Sequence, residues 1–203
     1  MFLHFTEDSY EKALIGLFQS MGYEYAYGPD IERNYQEPYY LNQVWTSLPI
    51  VNPSKHHNAI AEAIKKLTNI DSGDLAQKNG IFMDYLQNGI PVAYHDGKEI
   101  RHDIVYLIDY ENTHRNTFQI INQWTYVEKS EKRADLIVFV NGLPLVLIEL
   151  KSPSREETDA SAAYRQIKNY MFEIPSMFTY NAFCVMSDMM CSKAGTITSS
   201  EDR

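Results

Sequence analysis

Two apolar runs joined by an Asn-Gly pair constrain this chain more than any other feature of its sequence. The runs are LIVFV (136–140) and LPLVLIEL (143–150), and they flank Asn141-Gly142. Asn-Gly is a preferred pair for the tight turn of an antiparallel hairpin, because both turn positions need positive φ angles. Runs this apolar are typical of strands that are covered on both faces. The segment therefore predicts a hairpin in the interior of a covered sheet.

Three ionisable residues lie at the open end of this predicted hairpin. Glu149 and Lys151 are two residues apart, and because side chains alternate along a strand they share a face. A two-residue turn pairs Asp135 with Ile148, whereas a four-residue loop shifts this pairing by two residues. In either register Asp135 lies within one residue of Glu149 across the ladder.

The two carboxylates of this trio repel each other unless a positive charge lies between them. Mg²⁺ commonly takes one or two carboxylates together with waters and phosphate oxygens, and a bound divalent ion helps water to lose a proton. A nearby lysine stabilises the charge that develops on a phosphate. Asp135, Glu149 and Lys151 thus point to a metal-dependent phosphodiester hydrolase, while solvated charges at strand ends are the plainer interpretation.

Gln166 and Tyr170 are four residues apart on one face of a helix predicted over 156–172. An ordinary polar helix face with a half-buried tyrosine accounts for the pair most simply. A functional interpretation directs both side chains toward the active edge of the sheet, where they orient the site or contact DNA.

The rest of the chain predicts helices first and strands second. A helix begins near Asp8, with Glu11 as its capping-box partner, and ends at Gly22. Further helices are predicted over 38–48, 54–67 and 72–88, and strands over 23–27, on both sides of Asp96-Gly97, and over 116–128 and 180–187. A helix between the last two strands predicts a crossover unit. The fold class is α/β, or α+β in the looser sense, with a mixed β-sheet flanked by helices.

Charge and composition set limits on what the chain binds. The net charge is −9, which argues against bulk binding to the nucleic-acid backbone. Residues 1–127 carry 9 basic and 16 acidic side chains, whereas residues 128–168 carry seven of each, so a local strip around the hairpin is neutral. Two cysteines make no disulfide framework, and no apolar run approaches a membrane span. We expect a cytoplasmic protein with no membrane partner.

The segment RADLIVFVNGLPLVLIELKSP (133–153) resembles the nuclease segment of the R (motor) subunit of type I restriction enzymes. QIKNY (166–170) matches the Gln-x-x-x-Tyr motif of that family. Residues 9–25, 112–124 and 180–188 resemble further parts of it, and the central helices match more loosely. The family belongs to the PD-(D/E)xK nuclease superfamily, so the resemblance implies a restriction-endonuclease-like core with an N-terminal helical part.

The resemblance assigns roles to six residues. They are the metal ligands Asp135 and Glu149, the catalytic Lys151, the motif residues Gln166 and Tyr170, and Glu11, which matches a glutamate near the metal in some relatives. The implied cofactor is Mg²⁺, with Mn²⁺ as a substitute. Ala134 stands where the superfamily name has proline, a position at which proline is often missing.

The resemblance also implies how the chain is organised. Residues 1–203 form a single N-terminal endonuclease domain, with a mainly helical part over 1–90 and the core sheet and crossover helix over 91–190. The resemblance implies a longer chain whose C-terminal domains are an ATP-driven translocase. The 203 residues contain no G-x-x-x-x-G-K-[ST] phosphate loop, which supports this expectation. ATP would bind only the full-length chain. The partners would be double-stranded DNA and the methyltransferase and specificity subunits.

Two other functions stay open at this point. The domain is a docking and coupling module that does not cleave in isolation, or it is a RecB-like repair nuclease, which shares the Gln-x-x-x-Tyr motif. The NGLP wording of the hairpin argues against the RecB-like alternative.

Overall fold

The computed structural model describes residues 6–151, 160–188 and 190–200, with the backbone alone for 160–163. In chain order its helices and strands are α1 (Glu7–Ser20), β1 (Glu24–Tyr27), α2 (Leu41–Val51), α3 (His57–Thr68), α4 (Leu75–Asn88), β2 (Ile90–His95), β3 (Ile100–Val105), β4 (Phe118–Val127), β5 (Glu131–Val140), β6 (Leu143–Leu150), α5 (Ala160–Glu173), α6 (Pro175–Thr179), β7 (Phe183–Ser187) and β8 (Ser192–Gly195). Short 3₁₀ turns occupy Gly28–Asp30 and Thr113–Arg115. None of the helices in these ranges is long and apolar enough to cross a membrane.

Six strands form one mixed sheet in the order β1-β4-β5-β6-β7-β8. β1 runs parallel to β4 and β7 runs parallel to β6, while the other neighbours are antiparallel. The path from β6 through α5 and α6 to β7 is the predicted crossover. The predicted class, a mixed sheet flanked by helices, is confirmed.

Apolar side chains cover both faces of β5 and β6, as their sequence predicts. On one face α1 packs its Ile15 against a cluster formed with Ile120, Leu136, Val138, Ile148 and Leu150. On the other face α5 and α6 pack against Trp124, Ile137, Phe139 and Leu147. The middle strands are therefore fully enclosed. A charged side chain at their end loses its contact with water, which is unfavourable unless a partner compensates the charge.

The hairpin β2–β3 forms a separate two-stranded sheet. Its Ile90, Val92 and Val105 pack in one core with α2, α3 and α4, and this core extends to Leu143 next to the turn of the main hairpin. The helical part of the chain is thereby attached to the turn end of β5–β6. The charged end of the hairpin lies away from this attachment.

The main hairpin turns at Asn141-Gly142 as predicted, with φ angles of 53° and 83°. Val140 pairs with Leu143 and Phe139 with Pro144, which is the register of a two-residue turn. The register then shifts by one residue, because Leu145 is an extra residue on β6 and Val138 pairs with Val146. Each of the two predicted registers is therefore wrong by one residue at the open end of the hairpin.

Element boundaries differ from the predictions where polar caps compete. The N-cap of α1 is Thr6, whose side chain accepts from the Ser9 backbone N–H in a reciprocal capping box, so the predicted box of Asp8 with Glu11 is wrong. Strand β8 was not predicted, because SKAG has no apolar alternation. The predicted beginning of α5, at 156, lies outside the described residues.

Candidate active site

The bulge at Leu145 places Asp135 opposite Glu149. Leu136 pairs with Ile148, so the next residues on the two strands, Asp135 and Glu149, face each other one step farther along. Opposed residues of an antiparallel pair share a face. If the register of the turn continued along the same sequence without a bulge, Asp135 would pair with Ile148 and the two carboxylates would point to opposite faces of the sheet. The Asp135 side chain also ties the strand ends together, because its Oδ2 accepts from the Leu150 backbone N–H at 2.8 Å.

Glu149 is the most enclosed carboxylate of this group, with 2% of the residue exposed. Its Oε1 accepts from the Lys151 Nζ at 2.9 Å and from the Gln166 side-chain amide. Its Oε2 is buried and has no hydrogen-bond partner among the described residues. Burial, reinforced by the charge of Asp135, raises the pKa of Glu149 to about 8, even though Lys151 favours the ionised form.

Asp135 shares this environment. Burial raises the pKa of its carboxyl group, while the Leu150 N–H and the Lys151 charge act in the opposite direction. Glu7 and Glu11 on α1 add negative charge that raises the pKa of Asp135 further. Two adjacent carboxylates with raised pKa values, beside the ammonium group of Lys151, form a site at which further positive charge would be favourable.

Gln166 and Tyr170 lie beside Glu149, so the structure brings the predicted helix pair to the predicted site. The Gln166 Nε2 donates to the Tyr170 Oη at 2.9 Å as well as to Glu149. The Tyr170 Oη in turn donates to the Arg133 carbonyl oxygen at 3.4 Å, which connects α5 to β5. Burial, followed by the charge of Glu149, raises the pKa of Tyr170 to about 12, so its hydroxyl keeps its proton at neutral pH.

Glu11 lies near the site but is engaged elsewhere. Its two carboxylate oxygens accept from the side-chain amides of Asn122 and Gln123, at 2.6 and 2.9 Å. These β4 residues were missed by sequence reasoning, because they lie 111 and 112 residues from Glu11 and belong to no motif. The available signal was weak: two consecutive amides, Asn122-Gln123, follow the apolar pair Ile120-Ile121 in a strand that is rich in apolar and aromatic residues.

The donor set fits a hard divalent cation. Asp135 and Glu149 supply carboxylate oxygens, and the buried Oε2 of Glu149, which has no hydrogen-bond partner in the described part of the chain, is free to act as a ligand atom. Within residues 6–151, 160–188 and 190–200, no group of three or more His, Cys, Asp or Glu side chains could hold a metal ion. A cation here would therefore have two protein carboxylates as ligands and complete its shell with water and substrate oxygens, as Mg²⁺ often does.

The family model described as type I restriction enzyme R protein N terminus matches residues 4–203. The chain belongs to this family. It is 32% identical to the type I restriction enzyme HindI endonuclease subunit of Haemophilus influenzae, over 98% of the chain and 20% of that subunit. It is 30% identical to the type I restriction enzyme EcoprrI endonuclease subunit of Escherichia coli, over 73% of the chain and 52% of that protein. A restriction-nuclease role is thereby supported.

A relative from Methanocaldococcus jannaschii that carries the MjaIXP endonuclease-subunit name is also 32% identical, over 95% of the chain. The match covers 19% of that relative. The chain thus spans about one fifth of the length of these R-protein relatives, and it corresponds to their N-terminal family region.

Proposed function

We propose that these residues form the Mg²⁺-dependent endonuclease of a type I restriction enzyme, which hydrolyses phosphodiester bonds of double-stranded DNA. The observation that carries the proposal is the buried pair Asp135–Glu149, with one Glu149 oxygen unpaired and Lys151 beside it. A pair of this kind has little structural value on its own, because buried charges without full compensation destabilise a fold. Family membership supports the same assignment.

The proposed roles follow from the contacts of each side chain. Asp135 and Glu149 would hold the Mg²⁺ or Mn²⁺ ion, which when bound promotes the ionisation of water and neutralises phosphate charge. Lys151 has 16% of its side chain exposed, so its amine can reach a substrate phosphate and stabilise the charge that develops there. Gln166 and Tyr170 would keep the Glu149 carboxylate in a fixed orientation, through the hydrogen bonds that join α5 to β5.

The rest of the proposal concerns the whole enzyme. Cleavage would follow ATP-driven DNA translocation by the remaining four fifths of an R subunit, and ATP would bind there. The methyltransferase and specificity subunits would recognise the target sequence, in the cytoplasm. Support comes from the family of the chain and from the lengths of its relatives.

The test uses the assembled enzyme with its full-length R subunit. Asp135→Ala and Lys151→Ala should each abolish DNA cleavage while ATP hydrolysis and translocation continue, because both residues lie in the proposed site and neither belongs to the motor. Lys98→Ala, in the exposed turn between β2 and β3, is the matched control and should cleave normally. Normal cleavage by either site variant would refute the proposal.

A second candidate function, docking without cleavage, has one observation in its favour. Large apolar side chains are exposed around β2–β3 and the end of α2, among them Ile50, Ile100 and Tyr110, at 51%, 68% and 59%. Such residues are common at contacts between domains. DNA cleavage that survives Asp135→Ala in the assembled enzyme would favour this candidate, while its loss favours the nuclease.

A further inference from the structure

The carboxylate of Glu11 is held by two consecutive residues of one strand. Its Oε1 accepts from the Asn122 Nδ2 at 2.6 Å, and its Oε2 accepts from the Gln123 Nε2 at 2.9 Å. The Tyr25 Oη donates to the Asn122 Oδ1 at 3.1 Å, which directs the Asn122 amino group toward Glu11. Both oxygens of the carboxylate are therefore fixed by donors from outside its own helix.

An unusual backbone conformation allows the side chains of two consecutive residues to reach the same carboxylate. Successive residues of a regular strand point to opposite faces, so two neighbours do not normally reach one carboxylate. Gln123 has φ of 55°, in the left-handed region that residues other than glycine seldom occupy, and this turns its side chain toward the side of Asn122. A local conformation of this kind persists only when its surroundings enforce it, and it is enriched at functional sites.

The surroundings of Gln123 do enforce it. Gly28 packs so closely that an added Cβ would lie 2.7 Å from the Asn122 carbonyl oxygen and 2.9 Å from that of Gln123. On the other side, the ladder pairs Asn122 with Leu136 and Trp124 with Ala134, which places Gln123 next to Asp135. The two residues that hold Glu11 therefore lie on β4, the strand that pairs with β5 and its proposed metal ligand Asp135.

Glu11 lies near Asp135 without forming a ligand group with it. Its negative charge raises the pKa of Asp135. The described residues contain no group of three His, Cys, Asp or Glu side chains that could hold a metal ion, so Glu11 forms no such group with Asp135 and Glu149. Its place is that of a fixed charge outside the ligand pair.

We propose that Asn122 and Gln123 are positioning residues that hold the Glu11 carboxylate as a fixed negative charge near Asp135, and that this charge strengthens the binding of a divalent cation by Asp135 and Glu149. The inference rests on the proposed metal-dependent nuclease function. The charge of a carboxylate that is held in a partly buried site is weakly screened, so it attracts a nearby cation more strongly than an exposed carboxylate would. Positioning partners of this kind commonly change metal affinity by about tenfold or more.

The decisive variant is Gln123→Gly in the full-length R subunit. Glycine adopts a φ of 55° without strain, so the change removes the amide while it favours the backbone. We expect Mn²⁺ binding to weaken about tenfold, and the urea midpoint of unfolding to stay unchanged or rise. A residue with a merely structural role would show the reverse pattern.

Mn²⁺ binding is measured by electron paramagnetic resonance without nucleotide. The bound Mn²⁺ that is lost in Asp135→Ala is assigned to the site. Glu11→Gln keeps the size of the side chain, removes its charge, and should weaken the same binding. Adding Gln123→Gly to Glu11→Gln should then have no further effect, because the amide acts through the carboxylate.

Three results would overturn the inference. They are wild-type Mn²⁺ affinity in Gln123→Gly, a lower unfolding midpoint in that variant, and an undiminished effect of Gln123→Gly in the Glu11→Gln background. A different result bears on the proposed function itself. If Asp135→Ala removes no Mn²⁺ signal, the metal site at Asp135 and Glu149 is wrong, and the role of Glu11 is wrong with it.

Discussion

At the scale of single residues, the site is defined by a carboxyl group that the fold keeps out of water. Glu149 is buried next to Asp135 and has one oxygen without a hydrogen-bond partner among the described residues. Its pKa, raised to about 8 by burial, means that the cation-free protein holds a proton there at neutral pH. A bound divalent cation would replace that proton, so ion binding and proton release should be coupled.

The raised pKa of Glu149 predicts how stability depends on pH. Between pH 4.5, the ordinary pKa of a glutamate, and about pH 8, Glu149 keeps a proton in the folded protein that it has released in the unfolded chain. The free energy of unfolding should therefore fall as the pH rises through this window, since the folded state binds more protons. Glu149→Gln does not titrate, and at pH 8 without divalent ions it should be more stable than the wild type by about 1 to 4 kcal/mol.

Urea unfolding at pH 5 and pH 8, with chelator present, measures this difference. Glu131→Gln is the control, because Glu131 is an exposed residue of the same hairpin and should show no such effect. Equal stability of wild type and Glu149→Gln at pH 8 would show that Glu149 is not protonated in the folded protein.

At the scale of elements, the hairpin β5–β6 shows what local sequence reveals and what it hides. The turn and both strands were predictable, because Asn-Gly and apolar runs are local signals. The bulge was not, since Leu145 is one leucine in a run of apolar residues that fit either face. The hydrogen bonds that hold Glu11 were equally unpredictable from the sequence. They join α1 to β4 and depend on the left-handed backbone conformation of Gln123. The sequence pattern predicted that Asp135 and Glu149 lie close together. It did not predict that their side chains share a face of the sheet, because this depends on the bulge.

Deletion of Leu145 tests whether the site needs the bulge itself or only the pairing beyond it. The shortened strand can pair with β5 without a bulge, with Val138 still opposite Val146 and Asp135 still opposite Glu149. We expect the deletion to keep DNA cleavage and Mn²⁺ binding at the Asp135 site while the domain remains folded by circular dichroism, because the two carboxylates stay on one face.

Leu145→Val is the matched control for this deletion, because it keeps the extra residue and therefore the bulge. It should lose no more than about 1.5 kcal/mol of stability and retain cleavage. Loss of cleavage and Mn²⁺ binding in a folded deletion variant would mean that the bulge itself, and not only the pairing of Asp135 with Glu149, shapes the site.

At the scale of the whole molecule, the proposed catalytic groups belong to a chain whose overall charge does not favour binding to DNA. The net charge is −9, and residues 1–127 are the acidic part. Affinity for duplex DNA depends largely on neutralising phosphates, so an acidic domain depends on other parts of an enzyme to bring DNA to it. This fits a nuclease that corresponds to about one fifth of its relatives.

The charge predicts weak DNA binding by residues 1–203 alone. At physiological salt, the dissociation constant for a duplex of random sequence should exceed about 10⁻⁴ M, the weak limit of ordinary non-specific binding. Fluorescence anisotropy measures it, with the full-length R subunit as the comparison that should bind more tightly. Micromolar binding by the 203 residues would show that a local basic surface outweighs the acidic total.

The contact between Glu11 and Gln123 also sets an order of events during protein synthesis. At about 5 to 20 residues per second, a ribosome adds the 112 residues that separate them in roughly 6 to 22 s. Helix α1 emerges first, but its carboxylate must wait for β4, and the ligand pair must wait for β6. Gln166 follows later still. A nascent chain therefore carries separate parts of the candidate site for many seconds, and the site is complete only when the last strands of the sheet have joined.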